Sequence, residues 1–139
     1  MTETPLRRPA DGECFSCGWS PAAQTVFTRQ AGMVLMNKHW TERASYCKGC
    51  ATEAYRRCQA WNLARGWWGV ISFFMNIVAL VNNSRQMGRL RDMPPPQQRA
   101  PEVVTPRTTP SDGGQPVFAR PESWVLVAVV LLIVLVNVF

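Results

Sequence analysis

Two Cys-x-x-Cys pairs, Cys14-Phe15-Ser16-Cys17 and Cys47-Lys48-Gly49-Cys50, limit what this chain can fold into more than any other feature. A tetrahedral zinc ion takes four soft ligands at about 2.3 Å, and each short turn offers two sulfurs to one side of it. Four thiolates leave no open coordination position, so the site reads as structural rather than catalytic. Redox use of such a pair needs a helix N-terminus in a βαβ setting. The second pair does precede a helix-forming run, but no βαβ pattern surrounds it.

The rest of the composition agrees with a small metal-stapled module. A folded part of roughly 50 residues buries too little apolar surface to be comfortably stable without a staple. Five cysteines is an odd number, and the polar, Pro-containing stretch Met1–Glu13 lacks the apolar core of a secretion signal. A disulfide framework is therefore not expected, whereas reduced thiols holding a metal in the cytosol are. The formal charge of +6 suits either nucleic acid or an anionic membrane face and does not choose between them.

Read in order, residues 1–13 form a flexible leader and residues 14–50 a zinc ribbon, a β-hairpin between two zinc knuckles. The β-branched and aromatic run Gln24–Arg29 gives one strand, a turn is expected at Gln30-Ala31-Gly32, and a second turn between Asn37 and Ser45 returns the chain to Cys47. Gly18 and Gly49 are expected to relax tight turns beside the metal. Residues 51–65 lack Gly and Pro and predict a connecting helix. Residues 66–84 carry no charge and predict a membrane or interfacial helix entered through Trp61, Trp67 and Trp68. Along it Gly69, Ser72, Asn76, Ala79 and Asn83 recur at steps of three and four, a small and polar seam of the kind along which membrane helices associate. Both a span and an in-plane helix fit this segment.

Residues 85–122 hold Pro94-Pro95-Pro96 and five further prolines up to Pro121, and read as a disordered linker. Residues 123–139 have no polar face and read as a transmembrane anchor entered through Trp124. Arginines flank the 66–84 segment on both sides, so charge does not orient it. Cys58 is expected as a packed thiol, and the single histidine, His39, as a turn or surface residue without a catalytic partner.

Cys14-x-x-Cys17-Gly18 with Pro21-Ala22, Cys47-x-x-Cys50, and Gly66-Trp67-Trp68-Gly69 followed by Ser72-Phe73 and Asn83 resemble small actinobacterial membrane proteins with an N-terminal zinc ribbon. That resemblance spans about Cys14 to Leu90 and implies metal binding and membrane location, with no activity attached. The expected function is a non-enzymatic adaptor or scaffold at the cell membrane. Its zinc ribbon would face the cytosol, and its partners would be the lipid bilayer and a membrane protein or a second copy. One alternative is a membrane-tethered regulator binding nucleic acid through Phe27, Arg29, Lys38, Trp40 and Arg43. Another is a small thiol oxidoreductase.

Overall fold

Backbone pairing starts where the β-branched residues start. In a computed structural model that describes residues 10–33, 36–99 and 104–138, strands β2 (Ala23–Met33) and β3 (Met36–Tyr46) form an antiparallel hairpin. Its register runs unbroken from Ala23 opposite Tyr46 to Met33 opposite Met36. Gln30, Ala31 and Gly32 are thus paired strand and not the expected turn, and residues 34–35 lie outside the described residues. Asn37–Ser45 likewise is strand and not a second turn. Gly32 misled the reading because a glycine inside a strand also marks a close approach. Here a side chain at residue 32 would collide with Ser72 of a neighbouring helix. A minor two-residue strand β1 (Trp19–Ser20) precedes the hairpin.

The chain then enters helix α1 (Lys48–Arg65), which starts three residues before the expected boundary and takes Cys50 into its first turn. Its buried face is lined by Ala51, Ala54, Cys58, Ala60, Asn62 and Ala64. Such small residues let the hairpin and a second helix approach its backbone. After Gly66 the chain reverses into α2 (Val70–Arg89), whose buried residues are Ser72, Asn76, Ala79 and Asn83. A side chain at residue 66 would overlap the Asn76 amide, so this glycine is what lets α1 and α2 meet at their junction. At the other end, Lys48 Nζ donates to the Arg91 carbonyl at 2.7 Å, holding the end of α2 beside the start of α1.

Beyond α2, the described residues of the stretch expected as a disordered linker lie along the domain. Strand β4 (Gln98–Arg99) pairs with β1, and Gln97 N–H donates to the Ser20 carbonyl at 2.8 Å. Further on, Arg107 N–H donates to Ser16 O at 2.9 Å and Trp19 Nε1 to Thr108 O at 3.0 Å. Arg56 donates to the carbonyls of Gly113 and Gly114 at 3.0 and 2.7 Å. Proline-rich sequence cannot build a core of its own, but its free carbonyls are good acceptors for an already folded surface. Two short 3-10 turns, Val117–Ala119 and Pro121–Trp124, pack on α1 and lead into α3 (Val125–Val138), which also touches α1.

A hydrophobic core joins the hairpin, α1 and the end of α2. Phe27, Tyr46, Ala51, Ala54, Cys58 and Leu90 pack with the four motif cysteines. Among the described residues, one helical stretch, Pro121–Val138, is long and apolar enough to cross a membrane. The 66–84 segment, expected to span or to lie in the interface, does not meet that test. The 66–84 segment is helical from Val70 but carries its polar seam against the protein.

Candidate metal centre

Cys14, Cys17, Cys47 and Cys50 come together with their sulfurs all within 4.8 Å of one another, each of them buried. All five cysteines are free thiols, so no disulfide competes for the site. The Cys17 and Cys47 sulfurs are 3.7 Å apart, which matches the edge of a tetrahedron about 2.3 Å from its centre, roughly 3.8 Å. The donor set therefore fits a soft metal ion.

Local structure explains how the first pair turns. Gly18 N–H donates to Cys14 O at 2.7 Å, and Gly18 adopts a φ of 72°, a left-handed conformation costly for other residues. Cys14 N–H is tied to Trp19 O at 2.9 Å and Phe15 N–H to Ser45 O at 2.7 Å, which locks this loop to the end of the hairpin. The second pair uses a helix instead: Cys47 is the N-cap of α1 and Ala51 N–H donates to its carbonyl at 2.8 Å. The partial positive charge of a helix N-terminus favours thiolates there. Gly49 is not a turn residue, as expected above. It lies in α1, where a side chain would strike the Ser111 carbonyl.

Charge in the cluster is unevenly shared when no cation balances it. Hydrogen bonds from Cys47 and then Cys50 hold the Cys14 thiol far below its ordinary range. Burial pushes the Cys17 thiol up to about 12. Its hydrogen bond to the Cys14 sulfur raises Cys47 to about 12, and the same partner raises Cys50. Crowded sulfurs resist ionising together, and a divalent cation is what lets all four ionise. The Ser111 backbone hydrogen bond to the Cys50 sulfur favours its thiolate. This contact from residue 111 was invisible in the sequence, since nothing in Pro110-Ser111-Asp112 signals a partner sixty positions upstream.

The remaining candidate residues sort differently. Ser72, Asn76, Ala79 and Asn83 do come together in one row, and that row meets β2 and α1 of the same chain. Gln30 Nε2 donates to Ser72 O at 3.1 Å and Asn76 Nδ2 to Asn62 O at 3.2 Å. Gly69 is the N-cap of α2. Asn62 and Gln30, which complete this network, were not singled out from the sequence. For Asn62 the available signal was an amide between the apolar Trp61 and Leu63; for Gln30, beside Arg29, there was none.

Trp67 and Trp68 donate their indole N–H groups to the Leu63 and Ala64 carbonyls at 2.9 and 3.1 Å, closing the end of α1. Trp61 stacks under the Arg65 guanidinium, 3.9 Å from its ring centre, and meets Trp40 edge-on at 6.1 Å. Trp124 lies exposed beside Phe118, its indole donating to the Phe118 carbonyl at 2.8 Å. His39 sits exposed on β3, in strand and not in a turn. Cys58 is the packed thiol expected, fully buried in the core, and burial pushes it up to about 12. Comparison of the chain with protein-family models, with curated proteins and with solved structures finds no match.

Proposed function

We propose that this chain is a non-enzymatic, membrane-anchored adaptor in which a zinc ion on Cys14, Cys17, Cys47 and Cys50 stiffens a hairpin surface for a membrane protein partner. The observation that carries this reading is the joint presence of a buried four-thiol cluster and a helical stretch able to cross a bilayer. Zinc is favoured over other soft cations because four thiolates in a tetrahedral shell suit a d10 ion with no redox role. The domain is assigned to the cytosolic side of the cell membrane, where thiols stay reduced.

Crosslinking followed by pull-down from membranes tests this reading, comparing the intact protein with a Cys47→Ser/Cys50→Ser variant. Capture of a defined membrane protein by the intact chain and its loss in the variant supports the adaptor. Equal capture by both assigns the metal to folding support for some other surface.

One observation favours a second reading, in which the surface binds nucleic acid. Lys38 Nζ lies 5.1 Å from the Trp40 ring, Trp40 touches Trp61, and Arg29 and Arg65 both approach the Trp61 ring. Cations interleaved with aromatic rings are also how single-stranded nucleic acid is held. Binding that weakens steeply with salt distinguishes this reading from the first.

A further inference from the structure

Helix α2 is amphipathic with its faces reversed. Towards β2 and α1 it presents Ser72, Asn76, Ala79 and Asn83, while Val70, Ile71 and Phe74 on the other side are 77, 73 and 64 % exposed. A helix of a water-soluble domain arranges these faces the other way round. Met75, Ile77, Val78 and Val81 extend the exposed apolar side along the helix. The hairpin end continues it, because Met33 and Met36 are exposed and share with Val70 and Ile71 a cleft of about 290 Å³. Patches of this kind mark protein or membrane contacts.

Two further features select the occupant. The stripe Ile71, Phe74, Val78, Val81 runs on into Arg85 and Arg89, so apolar surface passes directly into cations suited to anionic headgroups. The candidate span also has no slack, since its first turn, Pro121–Trp124, packs on α1 and α3 touches α1 as well. A domain held that closely to a span must rest some face on the bilayer. The polar seam, by contrast, is committed to Gln30, Asn62 and Thr28 by hydrogen bonds, so α2 cannot cross the bilayer without giving them up.

We propose that the outer face of α2, with Met33 and Met36 at the hairpin end, lies in the plane of the membrane interface and seats the metal-bound domain on anionic lipid. This deepens the membrane-anchored reading above and rests on it. α2 then acts as an in-plane float, its amides gripping the hairpin and its apolar side dissolved among acyl chains, while α3 provides the crossing.

The test uses the full zinc-loaded chain in phosphatidylcholine–phosphatidylglycerol vesicles doped with a phosphatidylcholine that carries an acyl-chain diazirine. Labelled positions are then mapped by mass spectrometry. Expected is label on α3, on Ile71, Phe74, Val78 and Val81, and on Met33 or Met36, with Asn76 and Asn83 unlabelled. Phe74→Glu, at an exposed position, should lower α2 labelling by roughly tenfold, leaving α3 labelling and zinc content unchanged. Label on α3 alone overturns the seat and leaves the anchor standing, whereas no label on α3 removes the anchored reading itself. Label all round α2 overturns the in-plane seat in favour of a span, and an outer face that loses its label as the protein-to-lipid ratio rises overturns it in favour of a dimer.

Discussion

Asn83 bonds both backbone groups of Thr28: the Thr28 N–H donates to Asn83 Oδ1 and Asn83 Nδ2 donates to the Thr28 carbonyl, each at 2.8 Å. In effect a side-chain amide of α2 stands in for a third strand. Asn62 of α1 continues the pattern, accepting from Gln30 N–H at 2.7 Å and donating to the Thr28 carbonyl at 3.0 Å. A two-stranded hairpin always has two open edges, and unpaired edges invite association with other chains. Two asparagines close this one and tie both helices to the same strand.

Asn83→Ala should therefore destabilise the domain more than loss of one exposed hydrogen bond. The Thr28 N–H is left without its partner, while the carbonyl keeps Asn62, and for a part-buried donor the cost is at the lower end of the roughly 1–3 kcal/mol of a buried one. Urea unfolding of the metal-loaded protein should show a lower midpoint. An unchanged midpoint would remove the edge-closing role.

Metal loading should strengthen as pH rises. With Cys17 and Cys47 each pushed up to about 12, both hold protons at neutral pH in the metal-free protein, and the ion must displace them. Proton release on binding means affinity falls as pH falls. Titrating the loaded protein from pH 8 towards acid in the presence of a chromophoric chelator should release metal, and hairpin circular dichroism should be lost with it. Retention of native structure in excess chelator at neutral pH would show that the core folds without metal.

Cys58 gives an independent pH signature. Burial raises its thiol from an ordinary 9.0 to about 12, so the neutral form is the one the core accepts. Its folded pKa lies above the unfolded one, so this contribution is fully present below about pH 9 and is lost as pH climbs towards 12. In the metal-loaded chain at pH 8, iodoacetamide should leave Cys58 unmodified until denaturant is added. Rapid modification under native conditions would contradict the packing.

Seating of the proline-rich segment should be acid-sensitive. Arg107 donates to Glu53 Oε1 at 2.8 Å, and this contact holds the Glu53 carboxyl below its usual range. A depressed carboxylate stabilises above its unfolded pKa, near 4.5, and that contribution disappears as pH falls through the lower folded value. Hydrogen exchange in residues 104–116 should rise on acidification, and Glu53→Gln should produce part of that rise at neutral pH. Gly49→Ala should do the same by pushing Ser111 away, even though alanine favours the helix by about 1 kcal/mol.

How much of this was legible beforehand follows from the range over which each interaction acts. The four-cysteine cluster, the hairpin between the pairs and the last apolar helix are written in local spacing and composition, because ligand turns, β-branched runs and unbroken apolar stretches are properties of neighbouring residues. Where the hairpin turns was misread, since Gly32 answers to Ser72, forty positions away, and not to a turn. The asparagine seam was visible as a row on α2, but its partner was not. Only the fold brings Thr28 and Asn62 to it, and so decides that α2 turns its polar side inward and its apolar side out. The contacts of Ser16, Trp19 and Glu53 with residues 107 and 108 are likewise absent from any local pattern, because a proline-rich segment has no core of its own and takes its order from the surface it meets. Covalent spacing by itself determined which side chains bear the chemistry of this protein. Tertiary structure decided which backbone groups were left for them to satisfy, and which face of α2 stayed exposed.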